Sequence, residues 1–112
     1  DEIIGFLLVM SEASHYDGDN FRWFVERYRR FLYVDRIVVD RTFAHRGIGS
    51  ALYGDLIQFA VAQGWSTLCC EINVSPPNPV SHGFHARFGF KEVGRSSKAG
   101  APKVVSYQVA EI

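Results

Sequence analysis

An apolar strand that stops at Asp40, a short basic loop and a Gly-x-Gly that opens a helix fill residues 38–52, Val-Val-Asp-Arg-Thr-Phe-Ala-His-Arg-Gly-Ile-Gly-Ser-Ala-Leu. No other stretch restricts the fold so tightly. A strand that runs through a tight loop into a helix is the first half of a crossover, and the next strand is expected to lie parallel to the first. Two glycines let the backbone come close to a ligand. A helix start leaves several N–H groups without intrahelical partners, and the helix dipole adds positive potential there. Arg41, His45 and Arg46 put further positive charge on the same loop. The stretch therefore suits a phosphate or pyrophosphate.

The flanking sequence supplies the other elements. Ile3–Met10 is an apolar run of strand length. Ser11–Asn20 reads as a loop, with Asn20 as a plausible N-cap for a helix near 21–29 whose Phe21, Phe24, Val25 and Tyr28 follow helical spacing. Phe31–Val39 is a second strand, rich in Val, Ile and aromatics. A helix over 50–63 carries Leu52, Leu56, Phe59 and Ala60 on one face and ends at Gly64. Thr67–Val74 is a third strand. Asn78 can cap a helix with Pro79 at its first position; Phe84 and Phe88 sit one turn apart on it, and Gly89 closes it. Phe90–Val93, a polar turn at Arg95–Pro102 and an alternating strand Val104–Ala110 complete the chain. Two strand–helix–strand crossovers imply parallel pairing, and the last two strands imply a hairpin. The expected fold class is α/β, a mixed, partly parallel sheet with helices on both faces, in a single domain over residues 1–112.

Composition narrows the function. A chain of 112 residues with 47% apolar side chains buries roughly two-thirds of its unfolded surface, enough for one core. Twelve basic side chains balance twelve acidic ones, which argues against bulk electrostatic binding to nucleic acid or to an anionic membrane. Cys69 and Cys70 are adjacent in a strand and so face opposite sides of the sheet; they read as structural thiols in a reducing, cytoplasmic compartment. No spacing of Cys and His suggests a metal site. Ile3–Met10 is too short to span a bilayer and lacks the basic flank of a signal peptide. The chain begins without Met, directly in a strand-like run, and reads as a fragment.

Glycine spacing separates the anion-binding motifs. A dinucleotide fingerprint fails, because Leu52 stands three residues after Gly49. A P-loop fails, because Asp55-Leu56 follow Gly54 where Lys and Ser/Thr are needed. A flavin- or nucleotide-binding module is thereby disfavoured. Strand, Arg46-Gly47-Ile48-Gly49 and helix instead resemble the acyl-CoA-binding motif of the GNAT acetyltransferases. The resemblance continues downstream through Cys70-Glu71-Ile72-Asn73, Pro76-Pro77-Asn78-Pro79, Ser81, Phe84-His85 and Gly89-Phe90, and covers residue 31 to the end best. Three features depart from the family pattern. Ala44 stands where the family usually has Arg or Gln. His85 stands where many members carry Tyr as general acid. The family's usual N-terminal strand and helices are missing ahead of Ile3, and the helix at 21–29 sits where a third strand often runs.

The resemblance implies the GNAT fold and transfer of an acetyl group from acetyl-CoA, as cosubstrate, to a primary amine of a small molecule or peptide by direct attack. It implies that Ile37, Val38 and Val39 pair with the pantetheine arm where the strands 31–39 and 67–74 splay apart. Gly47, Ile48, Gly49, Ser50 and Ala51, with Arg46 and Arg41, would cradle the pyrophosphate. Asn78 and Ser81 would contact CoA; Asn78 also reads simply as a cap, and Asn73 as a turn former. His85 is the expected proton donor to the thiolate. Glu71 and Asp35, in the two strands flanking the cleft, are the expected bases, and either also reads as a sheet-surface charge. Phe21, Trp23, Phe24 and Tyr28 read as core or as an acceptor wall. Arg22, Arg27, Arg29 and Arg30 read as a solvated face or as selectors of an acidic acceptor. His45 and His82 read as loop or surface residues. A non-catalytic acyl-CoA sensor or partner subunit is the alternative, and a homodimer is left open.

Overall fold

The computed structural model describes residues 3–96 and 102–112; most of the polar turn expected at Arg95–Pro102 lies outside them. The element order is β1 (Gly5–Ser11), α1 (Asp19–Val25), β2 (Leu32–Val39), α2 (Ile48–Ala62), β3 (Thr67–Ser75), α3 (Pro79–Ala86), β4 (Lys91–Arg95) and β5 (Val104–Glu111). A single 3₁₀ turn, Arg41–Phe43, joins β2 to α2, with the Asp40 carboxylate accepting from Thr42 N–H at 2.8 Å. The five strands form one mixed sheet in the order β1-β2-β3-β5-β4. β2 and β3 are parallel, whereas β1–β2, β3–β5 and β4–β5 are antiparallel. The expected last hairpin is present. Of the two crossovers, only β2–α2–β3 yields a parallel pair, because β5 inserts between β3 and β4.

The sheet separates two apolar layers. On one face Leu32, Val34, Leu68, Cys70, Ile72 and Ala110 are covered by Tyr53, Leu56 and Ala60 of α2 and by Phe90, which follows α3. On the other, α1 covers Tyr33, Cys69, Val105, Tyr107 and Val109 through Phe21 and Phe24. Cys69 and Cys70 thus point to opposite faces, both buried and free, and burial pushes both thiols up. Phe21 and Phe24 meet Tyr33 at 5.4 and 6.0 Å, so the aromatics of α1 that read as core or pocket wall are core. Beyond the reach of α1, Phe6, Leu8 and Val38 leave the outer part of the same face exposed. Among the described residues no helix is long and apolar enough to cross a membrane.

Helix α1 departs most from expectation. It is capped by Gly18 rather than Asn20 and ends at Val25, short of residue 29. Asn20 lies inside its first turn and accepts from the Tyr107 hydroxyl at 3.0 Å. The chain leaves the helix early, and Phe31, one residue before β2, is fully buried. Helix α3 likewise stops at Ala86, leaving Phe88 just beyond it. Trp23 lies across the sheet, stacked on Tyr107 at 4.1 Å. That placement needs glycine beneath it, since a Cβ at Gly94 would stand 2.5 Å from Trp23 Cζ2. Gly94→Ala should therefore cost about 1–3 kcal/mol by urea denaturation, as an overpacked site does. In a double-mutant cycle with Trp23→Leu most of that cost should vanish; additive losses would show that the ring is not the obstacle.

Candidate active site

The parallel pairing of β2 with β3 covers only Leu32–Leu68 and Tyr33–Cys69. Beyond it β2 bulges. Val9 pairs with Val34 and Leu8 with Arg36, which leaves Asp35 as the extra residue. A bulge bends its strand and shifts the side-chain phase. Ile37 and Val39 consequently join the α2/α3 face already occupied by Leu32 and Val34. Asp40 N–H donates to Ile4 carbonyl at 2.7 Å. By antiparallel alternation Val38 also bonds toward β1, and the main-chain groups of Ile37 and Val39 point into the gap facing β3. Of the three strand residues expected to offer backbone to a ligand, Ile37 and Val39 are placed to do so and Val38 is not.

A cleft of about 850 Å³ opens from this edge, between the loop before α2 and the N-terminal half of α3. Gly47, at φ 76°, is the N-cap of α2 and offers no side-chain cap. Nothing lies within 4 Å of where its Cβ would be, so this point of the backbone is open to approach. The N–H groups of Ile48, Gly49 and Ser50 stand free at the helix start, whereas that of Ala51 donates to Gly47 carbonyl at 3.0 Å. Ala51 therefore drops out of the expected cradle. Gly49 has a different reason to be glycine: a Cβ there would stand 3.2 Å from the Phe84 ring, which α3 presses against α2.

Charged side chains contribute less than expected. Arg41 and Arg46 are exposed and do not line the cleft, and Arg46 stacks on Phe43 at 5.4 Å. Arg87, which the sequence reading missed, lies on the opposite rim with its guanidinium 5.7 Å from the Phe84 ring centre. Its position one turn after Gly83 was the available signal. His45 is an exposed loop residue, as expected, with a positive φ of 64°. His82 is not a free surface group, since its ring bonds Asn73 carbonyl at 3.0 Å. Asn78 caps α3 through Oδ1 to Ser81 N–H at 3.2 Å, and its amide nitrogen remains available at the cleft wall. Three arginines of the α1 region are engaged elsewhere. Arg22 pairs with Asp17, Arg27 covers Trp23 at 4.0 Å, and Arg30 covers Trp65 and donates to Gly64 carbonyl.

His85 sits at the floor of the cleft, 4% exposed. Its Nδ1 bonds Ser81 carbonyl at 2.8 Å and its Nε2 bonds the Tyr53 hydroxyl at 2.7 Å. A carbonyl can only accept, so Nδ1 carries a proton, and in the neutral ring that burial favours Nε2 accepts from the phenol. Burial holds its pKa below the usual range. Nε2 thus ties α3 to α2, Nδ1 bonds within α3, and neither presents a proton to the cleft.

Carboxylates occupy the other side of the gap. Glu71 emerges on the α1 face and accepts from the Tyr33 hydroxyl at 2.5 Å. Burial pushes its pKa up to about 7, with the Asp35 charge adding to the rise and the Tyr33 hydrogen bond opposing it. Asp35, the bulged residue, is 9% exposed and pairs with Arg36 at 3.0 Å. The two expected bases therefore stand together, and His85 stands apart from them across the sheet. Among the described residues no three His, Cys, Asp or Glu side chains gather as metal ligands would.

The sequence pattern of the acetyltransferase (GNAT) family matches residues 1–90, which includes the first strand where the likeness looked thinnest. The chain belongs to the GNAT family of acetyltransferases. Solved structures agree on the fold. A GNAT-family putative acetyltransferase from Desulfovibrio desulfuricans shares 17% identity over 99% of this chain and 62% of its own, with a TM-score of 0.76. The ribosomal-protein-S18-alanine N-acetyltransferase from Escherichia coli shares 22% over 73% of this chain and 54% of its own, at 0.63. A putative streptothricin acetyltransferase from Bacillus anthracis, solved with acetyl coenzyme A, shares 20% over 73% and 49%, at 0.64. This chain thus spans about half to three-fifths of the length of those proteins. No curated protein matches it in sequence.

Two buried titrations of opposite sense make the site testable by stability alone. A histidine held below its ordinary 6.5 destabilises the fold as pH drops beneath that value, because the unfolded chain takes the proton first. A carboxyl raised from 4.5 to about 7 costs stability as pH rises between those values. Between pH 4.5 and 6.5 the two act in opposite directions, so His85→Gln should make the urea midpoint fall more steeply as pH rises there, and Glu71→Gln should make it rise more steeply. Unchanged slopes in both variants would show that neither group is held as described.

Proposed function

We propose that this GNAT domain transfers an acetyl group from acetyl-CoA to a primary amine of a small molecule or peptide. The observation that carries this reading is the gap after Tyr33 and Cys69, where unpaired main-chain groups of Ile37 and Val39 adjoin the free N–H groups of Ile48, Gly49 and Ser50. Those helix-start donors suit the pyrophosphate, and the open edge of β2 suits the amides of the pantetheine arm. The acetyl-CoA complex of the Bacillus anthracis relative supports the same ligand. With Ala44 in the loop and the two arginines turned aside, backbone donors supply most of the phosphate contact. Asn78 and Ser81 line the arm's path along α3.

The amine would enter from the α1 face. Its lone pair attacks the thioester carbonyl carbon, the C–S bond breaks, and the thiolate leaves along the α2/α3 face. N–H groups at the open edge of β2 would hold the oxyanion. Glu71, supported by Asp35, would take the proton that the nitrogen loses. The thiolate needs a proton from elsewhere than His85, which we assign to clamping α3 onto α2. That assignment also keeps the acyl-CoA-binding sensor as the second reading, since CoA can bind the cleft without a proton from His85.

Calorimetry with CoA tests the shared premise: saturable binding is expected, and no heat at millimolar CoA would overturn both readings. An acetyl-transfer screen over amines then separates them. A base of pKa about 7 must be ionised to act, so transfer should rise with pH through that value. Glu71→Gln should lower turnover by roughly 10²–10⁴-fold, the usual worth of a general base, with CoA affinity unchanged. Full activity in that variant would remove Glu71 as the base.

A further inference from the structure

The sheet face that carries Glu71 continues past α1 as an exposed apolar surface. Along β1, Leu7 and Val9 pack toward α2, whereas Phe6, Leu8 and Met10 alternate onto the α1 face, with Met10 inside the core there. Their register partners on β2 are Val38, Arg36 and Tyr33. The bulge sets Asp35 and Arg36 together opposite Leu8, and the two side chains bond each other at 3.0 Å. Phe6, Leu8 and Val38 are 42%, 44% and 41% exposed. Tyr16, 45% exposed, borders the same face from the loop before α1. Its ring meets Phe21 edge-on at 5.7 Å, and Phe21 meets Tyr33, whose hydroxyl holds Glu71. The Tyr16 ring is folded down over Gly18, where a Cβ would stand 2.6 Å from it. Single exposed apolar side chains are ordinary; a contiguous set beside a half-buried carboxyl pair marks a binding surface.

We propose, resting on the transfer reading above, that Phe6, Leu8 and Val38, with Tyr16 at their edge, select the acceptor as a small primary amine whose nitrogen lies one or two methylenes from an apolar body about the size of a phenyl ring. On that reading CoA occupies the α2/α3 side of the gap, so an amine with its nitrogen at Glu71 lays the rest of itself over the α1 face. Toward α1 that face is filled by Phe21, Phe24 and Tyr33. Toward Leu8 and Val38 it is open. Apolar area buried there contributes binding energy, whereas a polar body would give up hydrogen bonds to water and find few in return. Asp35 and Arg36, the charged pair within the surface, satisfy each other, so the surface favours a body without charge. These apolar side chains are thus specificity-determining and take no part in the proton transfer.

Methyl NMR of the whole chain with CoA, titrated with 2-phenylethylamine and with ethanolamine, tests binding, and the ratio of kcat/KM for the two amines tests selection. The Leu8 and Val38 methyl signals should shift with 2-phenylethylamine and stay put with ethanolamine at equal concentration. Transfer should favour 2-phenylethylamine by roughly tenfold or more. Leu8→Ser should cut that ratio about tenfold, Phe6→Ser should act likewise, and Gly18→Ala, which displaces the Tyr16 ring, should cut it by less. Amide spectra check that each variant folds, and the two serine variants stand in for one another. Shifts at Leu8 and Val38 without turnover of either amine would keep the apolar acceptor surface and remove the transfer reading. Absent shifts, equal kcat/KM for the two amines, or a ratio unchanged in a folded serine variant overturn the proposal. So do shifts of the same methyls that grow with protein concentration in the absence of amine, which would mark the surface as a contact between copies of the chain.

Discussion

The parting of two parallel strands after two residues of pairing is the constraint on which the rest of this molecule depends. A buried sheet does not leave main-chain groups unpaired without cost, because each unsatisfied N–H or C=O forfeits its hydrogen bonds to water. Here the opening follows a bulge at Asp35, just past the last β2–β3 pair. The bulge bends β2 toward β1, which continues to satisfy alternate residues as far as Asp40. The remaining groups face a cleft that water or a ligand can fill. One extra residue thus creates both the open edge and the phase change that turns Ile37 and Val39 toward the helices.

That single opening joins two unlike surfaces. On the α2/α3 face the donors are neutral backbone N–H groups at a helix start, suited to an anion that arrives with its own charge. On the α1 face two carboxylates sit among phenols and an amide. Burial there holds Glu71 near neutrality, where it can exchange a proton at physiological pH. A thioester lying in the gap would meet backbone donors on one side and a proton acceptor on the other.

How much of this was legible in the sequence depends on the kind of signal. Strand–loop–Gly-x-Gly–helix placed the cleft, because an αL glycine and an unpaired helix start are local properties of the chain. Asn78 and Pro79 announced α3 for the same reason. Asn20 misled, since a residue type favoured at caps was captured instead by Tyr107, 87 positions away. His85 shows the other limit. Its position matched a family role, but its environment is set by Tyr53 and Ser81, and no spacing reveals that both ring nitrogens are engaged. Asp35 was chosen for its charge, and its bulge, which depends on the register with β1, was invisible.

The clamp between α2 and α3 explains why the cleft can be lined so largely by small and backbone groups. A groove built from glycines has little side-chain packing of its own to hold its walls. Phe84 presses on the space left at Gly49, Tyr53 meets Phe84, Phe88 and Phe90 within 5.8 Å, and the Tyr53–His85 hydrogen bond locks the two helices from beneath. Rigidity is thereby supplied one layer below the surface that the ligand would touch. A tyrosine in place of His85 would add bulk to this floor and lose the two-sided bonding. The histidine and the aromatic cage therefore act together in holding the cleft in shape.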